Sequence, residues 1–150
     1  MKINTKFAGE VEITEDDIIH FEKGIPAFEN EKQFVIIPMG EDAPFFLLQS
    51  VQTVEVAFII VNPFQFFFDY EVKLTDAIIS ELGIEKEEDV AIYCILTVRE
   101  PFSETTMNLQ APLVINTKNR KGKQHIILDA DYPTRQKFLR PAPSKEEEVR

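Results

Sequence analysis

The chain has 150 residues, a formal net charge of -10, a hydrophobic fraction of 44% and a single cysteine. That length suits one folded domain with its own core, and the apolar content is too high for disorder. A lone cysteine excludes an intrachain disulfide framework, and no run approaches the roughly 20 apolar residues of a membrane span.

In chain order, "KINTKF" and "GEVEI" flank Ala8-Gly9 and predict a hairpin or a bulge. An acidic turn, Thr14 to Asp17, precedes the strand "DIIHFE". "KGIPAF" is a loop punctuated by Gly and Pro. "QFVIIP", "FFLLQSV", "VAFIIV" and "FQFFFDYEVKL" read as strands from their alternation or their short apolar runs. One helix is predicted near residues 75–83. Thr75 is its N-cap, Asp76 adds favourable charge in the first turn, and Gly83 ends it. Leu74 and Ile79 stand at staple spacing, and Ile78, Ile79 and Leu82 share a face. "EKEEDV" is read as a further turn. "VAIYCILTV", "PLVIN" and "KQHIILD" complete the strands, the last two around a polar turn. About ten strands at this spacing predict an all-β, mainly antiparallel fold: a small, partly open barrel or a sandwich. Residues 1–140 are read as the single domain, and 141–150, "PAPSKEEEVR", as a flexible charged tail.

Charge is unevenly spread. Residues 41–104 hold thirteen acids against three bases, whereas 105–140 hold two acids against seven bases. An acidic face favours a basic protein partner over nucleic acid. The basic turn with Lys118, Arg120, Lys121 and Lys123 has no aromatic platform and reads as a solvated hairpin tip.

The chemistry of an enzyme is not visible. His20 and His125 are far apart and lack metal-ligand spacing. No nucleophile elbow, phosphate loop or dinucleotide fingerprint occurs. Acid pairs such as Glu10/Glu12 and Asp16/Asp17 have nothing apolar around them to raise a pKa. Cys94 lies in an apolar run and reads as a small buried hydrophobe, which fits a reducing compartment. The expectation is a non-enzyme with no cofactor and no metal. The N-terminus alternates and carries charge, unlike a signal peptide, so the expected location is cytoplasmic.

Five motifs in order resemble the family of the flagellar assembly factor FliW: "FEKGIPAF", "FFLLQSV", "NPFQFFFDY", "NLQAPLVIN" and "KGKQHIIL". The resemblance runs from about Met1 to Leu139. The family often has Gly where this chain has Ala27, and Pro or a polar residue where it has Phe68. The resemblance implies a cytoplasmic binding factor with two clients, newly made flagellin and the RNA-binding translational regulator CsrA. Binding CsrA relieves repression of flagellin translation; free flagellin captures the factor and releases CsrA. No specific nucleic-acid binding, no membrane and a monomeric state go with that picture. The runner-up is a small β-barrel enzyme or ligand carrier with a Phe-lined pocket. An RNA-binding barrel is a third reading and needs a basic face.

The candidate interface is Phe67, Phe68, Asp69 and Glu71, joined by the polar residues Gln49, Ser50, Asn108 and Gln110. In a regular strand Phe64, Phe66, Phe68 and Tyr70 would share the core face and Phe67 would face solvent. A position that accepts Pro or a polar residue argues instead for Phe68 outside and Phe67 inside, with a bulge turning the parity. The second arrangement is the expectation. For Gln49, Asn108 and Gln110 the competing reading is internal loop bonding.

Overall fold

A computed structural model describes residues 1–41 and 44–138. The proposed tail, 141–150, lies outside the described residues. Among the described residues, eleven strands and one α-helix follow one another as β1 (Lys2–Asn4), β2 (Glu10–Glu12), β3 (Ile19–His20), β4 (Gln33–Pro38), β5 (Phe45–Ser50), β6 (Ala57–Val61), α1 (Asp76–Leu82), β7 (Val90–Thr97), β8 (Thr106–Met107), β9 (Leu113–Asn116), β10 (Lys121–Gln124) and β11 (Gln136–Lys137).

The sheet runs β7-β6-β5-β4-β3-β10-β9, and β9 pairs back onto β7, with Val90 opposite Asn116 and Tyr93 opposite Leu113. Seven strands therefore close into a barrel, which removes the edges an open sheet would expose. β8 and β11 extend the sheet beyond β7, and β1–β2 form a separate hairpin. Every pairing is antiparallel except β3 with β10, which meet in parallel at His20 and Lys121. The all-β, mainly antiparallel reading with one helix holds, and the barrel is closed.

Alternation explains how each strand serves two layers. On β7, Ala91, Tyr93 and Ile95 pack with the barrel interior around Phe21, Phe34, Leu48 and Ile60. The other face of β7 is also covered. Val90 and Ile92 meet Ile78 and Leu82 of α1, while Cys94 and Leu96 meet Tyr70, Phe66 and Phe67. A strand at least half-buried on both faces reads as a continuous apolar run, which is why "VAIYCILTV" shows no clean alternation. The hairpin β1–β2 covers β4 in the same way, through Ile3, Ile13 and Val35.

The helix forms where its local chemistry places it. Thr75 Oγ1 accepts the Ile78 N–H at 3.2 Å, and Gly83 closes the helix in the left-handed region at φ 64°. Ile78 and Leu82 are its buried face, and Leu74 packs against the same cluster. "EKEEDV" does form a further turn, a 3-10 turn over Glu87–Asp89. Gly24, at φ 65°, is required sterically as well, because a Cβ there would sit 2.5 Å from the Glu29 Cα. Nearby Ala27 adopts φ 72°, a left-handed conformation that its side chain disfavours.

Two predicted strands differ. "FQFFFDYEVKL" is not a strand. Asn62 Oδ1 accepts the Phe64 N–H at 2.9 Å, Pro63 opens a 3-10 turn over Pro63–Gln65, and Phe66 and Phe67 N–H groups both donate to the Pro63 carbonyl. Asn-Pro is a turn-initiating pair, and it overrides the β-propensity of the phenylalanines. In "KQHIILD" the ladder stops at Gln124, although His125 and Ile127 still donate to the carbonyls of Pro112 and Gln110.

Candidate functional site

The stretch Asn62–Tyr70 wraps over the outer face of β6 and β7. Tyr70 is its anchor: it is 4% exposed, and its hydroxyl donates to the Leu109 carbonyl at 2.6 Å. Burial beside Cys94 pushes its phenol well above the ordinary tyrosine range. Tyr132 stacks edge-on against Tyr70 at 4.7 Å, and Phe138 against Phe66 at 4.9 Å. Phe66 and Phe67 are half-buried on Val61, Cys94 and Leu96. Phe68 is 94% exposed and stands beside the exposed carboxylates Asp69 and Glu71. The expected inside/outside assignment of Phe67 and Phe68 holds, but its cause is a chain of turns: Tyr70 N–H closes on the Phe67 carbonyl, and Phe68 sits at the tip. A bulged strand is not involved.

The other sequence candidates divide. Asn108 and Gln110 flank Leu109, the acceptor of the Tyr70 hydroxyl, so they adjoin the aromatic loop. Phe67, Asp69, Tyr70 and Leu109 border one shallow depression of about 240 Å³ with Tyr132. Asn108 spends its Oδ1 on the Ala111 N–H at 3.0 Å, and the Gln110 backbone carbonyl takes the Ile127 N–H. Gln49 and Ser50, expected at the interface, are instead buried away from the aromatic loop and are not contact residues. Gln49 is 0% exposed; its Oε1 accepts the Lys6 N–H, and its Nε2 points at the carbonyls of Ser50 and Val54, each at 3.1 Å. Ser50 is 1% exposed; it donates to Glu31 at 2.6 Å and caps the N–H groups of Gln52 and Thr53. Both hold the β5–β6 turn together, and neither offers hydrogen-bonding capacity to a partner.

A larger feature was not legible in the sequence. Between α1 and the outer face of β7 runs a groove of about 570 Å³. Val90 and Ile92 of β7 form its floor, and Val72, Leu74, Ile79 and Ile84 line it above. Phe64 completes the apolar lining, and the exposed Glu85, Lys86 and Glu87 stand on the rim. Its walls are aliphatic with one phenylalanine, and no polar cluster converges on its floor. It therefore differs from the Phe-lined polar pocket that a small-barrel enzyme or carrier would need.

The titratable groups are placed for structure. Cys94 is fully buried, and burial pushes its thiol up to about 12, so it is protonated and unreactive. Partial burial, with Lys123 nearby, lowers the pKa of His125. Glu81 lies between Lys123 at 2.6 Å and Lys23 at 3.2 Å, which hold its carboxyl below the ordinary range. Of the basic turn, Lys123 is paired with Glu81, Lys121 faces Glu22 at 3.8 Å, and Arg120 donates to the Asp17 carbonyl. Among the described residues no group of three or more His, Cys, Asp or Glu is placed to hold a metal ion, and no helix is long and apolar enough to cross a membrane.

Barrel, aromatic loop and aliphatic groove define a small, acidic, closed β-barrel protein whose surface features suit contact with other molecules. The sequence model of the FliW protein family matches residues 2–138. Flagellar assembly factor FliW of Geobacillus kaustophilus is 51% identical over 139 residues, covering 93% of this chain and 96% of that protein. The Bacillus velezensis protein of the same name is 49% identical over 135 residues, covering 90% and 94%. A crystal structure of the flagellar assembly factor FliW superposes with a TM-score of 0.88 at 47% identity, covering 97% of this chain and 99% of that one. The chain belongs to the FliW family of flagellar assembly factors.

Proposed function

We propose that this protein is a cytoplasmic, monomeric, stoichiometric partner switch that binds newly made flagellin and, alternately, the translational regulator CsrA. Holding CsrA relieves repression of flagellin translation, and free flagellin takes the factor back. Family membership over nearly the whole chain supports the assembly role. The observation that carries a protein-contact function is Phe68, a ring 94% exposed beside Asp69 and Glu71. Protein interfaces are enriched in aromatic side chains at their centre and in polar and charged groups at their rim, the combination Phe68, Asp69 and Glu71 present.

The charge suits a regulator that binds RNA. A protein that grips phosphates has to be basic there, and a body of net charge -10 is steered towards it and repels RNA once bound. Two clients exclude one another if their sites overlap, which one compact domain favours, since a standard interface takes roughly 800 Å² per partner.

Calorimetry with each purified client at roughly 50 mM and 300 mM salt tests this. Both clients are expected to bind with Kd below about 10 µM, and CsrA to weaken at the higher salt. Failure of both to bind would refute the function. Salt-insensitive CsrA binding would refute the steering argument.

A further inference from the structure

We infer that the groove between α1 and β7 is the seat for a basic amphipathic helix of a protein partner. The inference rests on the reading of this chain as a protein-binding factor and adds where, and by what chemistry, one partner docks.

Three observations carry it. First, the groove is an apolar trough of about 570 Å³, inside the range of roughly 300–1,000 Å³ over which pockets bury a ligand. Its floor residues Val90 and Ile92 sit on the outward face of a strand whose backbone is already paired with β9 at Asn116 and Val114. On its other side β6 pairs with β7 only beyond the groove, at Cys94 and Ile95, and the groove itself is lined by side chains. What the groove offers is side-chain surface, which a helix matches by aligning apolar residues at i, i+3, i+4 and i+7.

Second, the polar groups stand on the rim and are acidic. Residues 85–89 carry four acids against Lys86 alone, and Glu85 and Glu87 border the groove directly. An occupant with lysine or arginine flanking its apolar stripe meets those carboxylates; one with acidic flanks is repelled. Third, nothing converges on the floor to orient a small molecule. A compact ligand would bury its polar atoms against Val, Ile and Leu at a desolvation cost. A helix keeps its polar face in water.

The test uses the full-length protein, isotope-labelled, and a synthetic helical peptide of about 18 residues with one leucine stripe and lysine flanks, beside a twin with glutamate flanks. Amide and methyl shifts are followed by NMR. The lysine peptide is expected to shift Val72, Leu74, Ile79, Ile84 and Ile92 and to bind at least about tenfold tighter than the twin. Ile84→Glu should weaken it about tenfold. Glu85→Lys with Glu87→Lys, both exposed and tolerable to the fold, should reverse the preference between the two peptides. Shifts scattered over the acidic surface, equal affinity for both peptides, or no change in the double variant would overturn the inference. So would decanoate filling the groove and excluding the peptide, since that would make it a small-ligand site. If CsrA and flagellin fail to bind the wild-type protein while the peptide maps to the groove, the partner assignment falls and this inference stands.

Discussion

Replacing Phe68 by serine separates a ring kept for a partner from a ring kept for the core. Fully burying a phenylalanine contributes roughly 1.5–3 kcal/mol, and at 94% exposure only about 0.1–0.2 kcal/mol of that is at stake here. Phe68→Ser is therefore expected to change the unfolding free energy by less than about 0.5 kcal/mol. Phe66, half-buried and edge-on to Phe138 at 4.9 Å, provides the contrast: Phe66→Ser should cost roughly 1.5–3 kcal/mol. Urea unfolding followed by tyrosine fluorescence and circular dichroism gives both numbers, provided the two variants share one m-value. A loss above about 1 kcal/mol for Phe68→Ser would show that the ring is packed and refute the reasoning. In client binding the order should invert. An interface anchor costs about 2 kcal/mol when truncated, so Phe68→Ser should weaken at least one client about thirtyfold.

Three further outcomes are expected. Ala27→Gly relieves a left-handed backbone at φ 72° and should stabilise by about 0.5–1 kcal/mol, raising Tm by roughly 1–4 °C in a calorimetric scan; a lower Tm would contradict it. Gln49→Met leaves the Lys6 N–H without its acceptor and should cost about 2 kcal/mol or more in urea unfolding, with client affinity unchanged; lost affinity in a folded variant would restore Gln49 as a contact residue. The Glu81 carboxyl is held low by Lys123 and Lys23, so its stabilising effect is present above the ordinary glutamate range and fades as pH falls through its depressed folded value. The gap between wild type and Glu81→Gln, at most about 1 kcal/mol at neutral pH, should close on acidification below about pH 4.5; a gap independent of pH would refute the assignment.

What the sequence disclosed was mostly local chemistry. The helix was legible because Thr75, Asp76 and Gly83 act within one turn of their own backbone. The strands β4, β5, β6 and β9 were legible because each is a short run of Val, Ile, Leu and Phe. β8 and β11 escaped because two residues carry no period. The aromatic loop reads as a strand in the sequence because its five aromatic residues outweigh one Asn-Pro pair, although that pair sets the hydrogen bonds at its start. The exposure of Phe68 runs against strict alternation and was legible only through the family resemblance, a signal that does not depend on secondary structure. Barrel closure and the groove were beyond reach for a common reason. β7 meets β9 twenty-odd residues along the chain, and α1 lies over β7 only because the barrel has closed beneath it. Gln49 shows the same limit: its partners at Lys6 and Val54 are set by the β5–β6 turn and by a segment 43 residues away.

The most direct test of the partner switch is a displacement titration. Fluorescently labelled CsrA is pre-bound to this protein, and unlabelled flagellin is added while anisotropy is recorded. Release of CsrA with a midpoint near one flagellin per binding factor is the predicted result. A ternary complex with CsrA retained at saturating flagellin would contradict it.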